Sequence, residues 1–217
     1  MDEISTKFFN KNAHGRLIIM FKHLKNALAL SEKFSAKIVK GNDEQLESVK
    51  DEMMNEMDAS IGWHTMGIPL IISAILTIVS FSLPQISIWH GISKWMDWSK
   101  NAFFIGAMIT DLVGCIIIIP LMAVVGKGQY LALKSYVYIA FSTATLAISF
   151  LIYTILGTLL GADIKTTHLI VSIIGVILII LSYMCINSLV FYRMIAYCLH
   201  NRAWRKQIEM QGEKPHL

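Results

Sequence analysis

Four apolar runs divide the chain, at 62–83, 102–125, 137–160 and 169–191, and each is 22–24 residues long. A helix needs about 20 residues to cross a hydrocarbon core of ~30 Å, and only a helix satisfies its own backbone there. The pattern predicts four membrane-spanning helices. The stretches between them, 84–101, 126–136 and 161–168, are short. Short links make sequential helices antiparallel neighbours. The expected fold is all-α: a polytopic membrane protein with an antiparallel four-helix transmembrane bundle.

Ahead of the first run the period changes. Leu17, Phe21, Leu24 and Leu28, then Phe34 and Ile38, recur at helical spacing over 16–40, which predicts a helix with one apolar face. It carries Arg16, Lys22, Lys25, Lys33, Lys37 and Lys40 against Glu32. Gly41 supplies a stop, and Asn42 stands in capping-box spacing to Gln45. A second helix is expected over 43–59, striped by Leu46, Val49, Met53 and Met57 and rich in Asp and Glu. Opposite charge on adjacent amphipathic helices predicts an N-terminal cytoplasmic helical hairpin. Exposed ion pairs are worth only about 0–1 kcal/mol, so the apolar seam would hold the hairpin and the charges would set its register. The competing placement lays the basic helix on the anionic inner leaflet, at about 1 kcal/mol per basic residue. The expected division is a hairpin at 1–60, a four-span bundle at 61–200 and a cytoplasmic tail at 201–217. That tail reads as the fourth helix running on past the membrane and fraying at Pro215.

Charge then orients the bundle. Sixteen of the 19 Lys and Arg residues fall in the N-terminal segment, the middle loop and the tail, and three in the other two loops. The positive-inside rule puts both termini in the cytoplasm, in a cell (inner or plasma) membrane. Trp89, Trp95 and Trp98 in 84–101 suit a loop lying on the outer membrane surface. Charged residues make up 16% of the chain, where soluble domains carry about 25%. The basic residues form no stripe interleaved with aromatics, so no nucleic-acid partner is expected. Cys115, Cys185 and Cys198 lie in or beside apolar runs and read as small fillers, without disulfide or metal-ligand spacing. The polar first sixty residues do not read as a signal peptide.

Candidate chemistry is sparse. Asp111 sits near the middle of the second run, where a carboxylate costs about 2.5–3.5 kcal/mol on insertion scales. It reads either as an ion or proton site or as a protonated group bonded to a neighbouring helix. Ala102, Gly106, Thr110 and Gly114 are spaced four apart and form a face that admits close helix packing. Pro120 predicts a kink near Cys115. Asn187, in the fourth run, reads as a cross-helix hydrogen-bonding group, and Arg193 as a snorkelling side chain. His64 and Trp63 start the first run at the interface. Ser142, Thr143, Thr145, Ser149 and Thr154 can bond back to their own helix. "GKGQY" at 126–130 lacks the strand, loop and helix of a phosphate cradle, and no H-E-x-x-H or paired ligand spacing occurs. No catalytic residue, cofactor or metal is therefore expected.

What remains is a non-enzymatic membrane protein acting by recognition, as a component of a membrane complex. By architecture alone it compares with immunity, exclusion or phage-defence components. Its expected partners are membrane lipids, further copies of itself, or a protein engaging the N-terminal helices. The alternatives are a homo-oligomeric cation channel using Asp111 or a small transporter.

Overall fold

The computed structural model describes residues 22–57, 62, 65–99, 101–160 and 166–212. Among them every regular element is helical. The helices are α1 (Lys22–Lys40), α2 (Asp43–Met57), α3 (Ile68–Trp95), α4 (Ala102–Gly126), α5 (Tyr130–Leu159), α6 (Thr166–Ile186) and α7 (Leu189–Gly212). Helices α3 to α6 are each long and apolar enough to cross a membrane. Residues 16–21, 58–61, 63–64 and 213–217 lie outside the described set, so the readings of Trp63, His64 and the fraying at Pro215 do too.

The chain divides into two compact units, 1–67 with 186–217, and 68–185. This differs from the expected 1–60, 61–200 and 201–217. The fourth apolar run is not one helix to its end: α6 stops at Ile186 and α7 restarts at Leu189. Ser188 makes the restart, its Oγ accepting the Phe191 N–H at 3.1 Å, as an N-cap does. Beyond it Phe191, Met194, Ile195, Cys198, Leu199 and Ala203 are all buried, at spacings of three and four. The expected tail is thus a third amphipathic helix rather than an extension of the span.

In the first unit α1, α2 and α7 bury Leu24, Phe34, Ile38, Leu46, Val49, Met53 and Met57 against that α7 stripe. Both α1 and α2 pack more extensively on α7 than on each other, so the hairpin's seam is completed by a helix 130 residues away. Cross-links fix the directions. Leu24 and Ser35 of α1 bond Asn187 and Arg202, ascending together, so α1 runs with α7. Glu56 and Glu47 of α2 bond Tyr192 and Gln207, so α2 runs against it. The α1–α2 corner forms the reciprocal cap: Gln45 N–H donates to Asn42 Oδ1 at 2.9 Å, and Asn42 N–H to Gln45 Oε1 at 3.3 Å. A Cβ on Gly41 would stand 2.6 Å from the Lys37 carbonyl oxygen, which reserves the position for glycine.

In the second unit, α3 continues to Trp95 through the segment expected to be a surface loop. Pro84 is buried within it. Proline is tolerated in a spanning helix because neighbours re-satisfy the freed backbone. The extension has its own packing partner in α4, because Trp89 lies against Gly106. The helix ends with Asp97 in the left-handed region (φ 51°) and the Trp98 N–H bonded to the Ser93 carbonyl, a Schellman-type close. At the α4–α5 corner Gly128 takes φ 73°, so "GKGQY" is a helix-to-helix turn. Helix α5 buries Leu133, Tyr136, Ala140, Thr143, Ala147, Phe150 and Thr154. That alternation of three and four is the seam of nearly aligned helices.

Candidate functional site

Within the apolar helices the polar groups sort into three sets. The first lies between α3 and α4. Gly106 and Ala107 are buried on α4, and a side chain at Gly106 would overlap the indole of Trp89. Trp89 Nε1–H donates to Thr110 Oγ1 at 3.0 Å, and Thr110 donates to the Gly106 carbonyl at 2.9 Å. Phe81 covers Gly114, and Ala102 stands half-buried at the head of the helix. The face of Ala102, Gly106, Thr110 and Gly114 is therefore the α3 contact. It receives two aromatic side chains rather than a second small-residue face.

Asp111 follows that face on α4. The residue is half-buried, and its Oδ1 is shielded and has no hydrogen-bond partner among the described residues. Neither α4 nor the middle thirds of α3, α5 and α6 carry a basic residue that could neutralise it. Asn187 is elsewhere. It sits in the break between α6 and α7, and its Oδ1 accepts the Leu24 N–H at 3.1 Å. Asn187, read from the sequence as a cross-helix hydrogen-bonding group, thus bonds the backbone of α1 from the break between α6 and α7.

Sequence reasoning missed the second set, a buried hydroxyl cluster joining α3, α5 and α6. Ser73 Oγ lies 2.7 Å from Tyr136 Oη and 2.8 Å from Ser182 Oγ. Thr77 Oγ1 lies 2.8 Å from Ser182 Oγ. The Ser73 carbonyl accepts from both Thr77 and Ser182, at 2.8 and 2.9 Å. Every hydroxyl proton thereby has an acceptor, as buried polar groups require. Further along the same edge Ser80 donates to the Gly175 carbonyl at 2.9 Å, and Ser87 Oγ lies 2.7 Å from His168 Nδ1. Thr154 meets Ser172 at 3.0 Å between α5 and α6. The signal was present, since Ser73, Thr77, Ser80 and Ser87 recur at helical intervals. Ser73, Thr77, Tyr136 and Ser182 bond only one another and the backbone, so that cluster is suited to holding helices together, whereas Ser87 pairs with the imidazole of His168.

The third set is in the first unit. Tyr192 donates to Glu56 Oε2 at 2.6 Å, and burial, then Glu56, push its phenol above the ordinary range. Burial pushes the Cys198 thiol up to about 11, opposed by Arg205. Burial, followed by neighbouring Arg205, lowers Arg202, which donates to Ser35 at 3.1 Å. Hydrogen bonds from Lys50 and Gln207 lower exposed Glu47. Lys33 and Glu52 join α1 to α2 at 2.8 Å. No group of three metal-ligating side chains occurs among the described residues. Comparison with known protein families, with curated proteins and with solved structures gave no match.

Proposed function

We propose that this chain is a non-enzymatic recognition component of a membrane complex, held in the cell membrane by α3 to α6 with both termini cytoplasmic. The observation that carries the reading is the first unit. The segment before the first spanning helix and the segment after the last fold into one three-helix body with a complete apolar core. Its outer surface keeps most of the charge of α1 and α2 available for a partner. An architecture that closes both flanks of a bundle into one surface suits display of that surface. The distribution of Lys and Arg supports the orientation. The comparison with immunity, exclusion and phage-defence components rests on architecture alone.

A second reading, a cation pore, is favoured by one observation, the unpartnered Oδ1 of Asp111. Liposomes loaded with a potassium gradient separate the two. Carrying the purified full chain, they should hold the gradient as empty liposomes do. A leak abolished by Asp111→Asn would replace recognition with conduction.

A further inference from the structure

We infer that the end of the three-helix unit from which α7 starts is a binding surface for anionic phospholipid headgroups, made by Lys22, Lys25, Leu189 and Val190. The inference goes beyond the recognition reading. It rests on α6 spanning the membrane, and not on what the rest of the unit recognises.

Chain geometry brings this end to the lipid surface. Helix α6 has 21 residues, about 31 Å of length at a rise of about 1.5 Å each. That matches a hydrocarbon core of ~30 Å with almost nothing to spare. Its last residue, Ile186, therefore stands within about one turn of the hydrocarbon edge. Asn187 follows directly and accepts the Leu24 N–H at 3.1 Å, so this part of α1 is held at the same level. Lys22 and Lys25 lie within two residues of Leu24, about 3 Å along the helix axis. The polar layer of one leaflet is about 5–7 Å thick, and a lysine stem is long enough to carry its ammonium group into it. The bilayer itself thus supplies the occupant.

The side chains at that level say which headgroup. Lys22 and Lys25 are exposed, and neither enters an ion pair among the described residues. The nearby carboxylates of α2 are engaged elsewhere. Glu56 accepts the Tyr192 hydroxyl at 2.6 Å, and Glu52, one turn back, holds Lys33 at 2.8 Å. Leu189 and Val190, at the start of α7, are exposed, whereas Phe191, Met194 and Ile195 after them are buried in the unit. Exposed apolar side chains at the same level as free lysines are the signature of a surface at the boundary of headgroups and acyl chains. The apolar row of α1 (Leu24, Ala27, Phe34 and Ile38) is buried within the unit. Helix α1 therefore has no apolar face left to lie along the bilayer, and its lysines meet the lipid at this end. An ammonium group donates to phosphate oxygens, and a headgroup without a compensating cation keeps its negative charge for it. Each lysine near an anionic surface gives about a fivefold preference.

Photo-cross-linking of the unaltered full chain in mixed vesicles of phosphatidylcholine and phosphatidylglycerol tests this. Each lipid in turn carries a diazirine at the glycerol end of an acyl chain, and the labelled residues are mapped by mass spectrometry. Residues 22–25 and 189–193 should take at least about fivefold more label from phosphatidylglycerol than from phosphatidylcholine. Lys22→Gln with Lys25→Gln should bring the two lipids within about twofold of each other, while Lys22→Arg with Lys25→Arg should keep the preference. No label on these residues from either lipid, or equal label from both, would overturn the inference. So would a preference that survives the glutamine variant or is lost in the arginine one. Displacement of the label by millimolar inorganic phosphate would assign the lysines to a soluble anion and overturn it too. If the glutamine variant does not fold, salt decides on the unaltered chain. Molar sodium chloride should erase the preference, because exposed charges are screened, and insensitivity to salt overturns the proposal. Loss of this preference alone leaves the recognition reading standing.

Discussion

The two units are built on opposite plans. The three-helix unit buries Phe34, Ile38, Leu46, Met53, Phe191 and Leu199 and turns its charges outward; among its described buried side chains Ser31 is the polar exception. The four-helix unit buries Ser73, Thr77, Ser80, Thr143, Thr154, Ser172 and Ser182 and turns Ile, Leu, Met and Phe outward. In water, apolar burial contributes about 25 cal/mol per Å², so a core of large side chains holds the first unit. Between lipid-exposed helices that driving force is absent, and close packing with hydrogen bonds takes its place. One chain thus shows what each solvent demands of a helix–helix contact. The least covered spanning helix makes the same point: 11% of the apolar window of α4 is buried, against 28–33% in the other three.

The contrast can be broken from either side, and the largest effect is expected in the three-helix core. Phe34 is fully buried, and Phe34→Ala should cost about 3–5 kcal/mol of that unit's stability, read by denaturant titration in nanodiscs. Ile116→Ala, on the lipid face of α4, should leave stability within error.

Next comes pH. A thiol held near 11 when folded contributes stability that is intact below pH 9 and is lost as pH rises through the folded value. Between pH 9 and 11 the protein should lose roughly 2–3 kcal/mol through Cys198. Cys198→Ala should remove that part of the slope, and identical slopes in both proteins would discard the assignment.

Gly106→Ala should cost about 1–3 kcal/mol, because the new Cβ displaces the Trp89 indole. Quenching of Trp89 fluorescence by a lipid-borne quencher should rise with it. Ser182→Ala should be milder, at about 0.6–1.7 kcal/mol, although it removes a hub touching Ser73 and Thr77. A loss as large as that of Phe34→Ala would mean that hydrogen bonds in the bundle outweigh packing. The smallest effect belongs to Lys33→Ala: its pair with Glu52 is exposed and worth under about 1 kcal/mol.

What could be read from the sequence was what depends on neighbours along the chain. Four apolar runs gave four spanning helices, and the Asn42–Gln45 spacing gave the cap that is observed. What could not be read depended on partners far away. Pro84 and the polar residues after it resemble a loop; they stay helical in contact with α4, where Trp89 meets Gly106. The stripe from Phe191 to Ala203 was visible, but as the outflow of a span it had no evident seam to fill until α1 and α2 supplied one. Asn187 was placed in the fourth span because the run continues past it to Phe191; only the cap at Ser188 shows that the helix has already ended. The hydroxyls of α3 were legible by period and were overlooked, since serine and threonine in an apolar run draw no notice singly.

The central claim is that α3 to α6 cross a bilayer while α1, α2 and α7 share one aqueous side. Labelling of single cysteines with a membrane-impermeant maleimide tests it most directly, using Lys40→Cys, Met96→Cys and Gly212→Cys in an otherwise cysteine-free full chain. In sealed right-side-out membranes Met96→Cys should react, while Lys40→Cys and Gly212→Cys should react only after the membrane is opened. Labelling of Lys40→Cys and Gly212→Cys from opposite sides, or of all three from one side, would contradict the account.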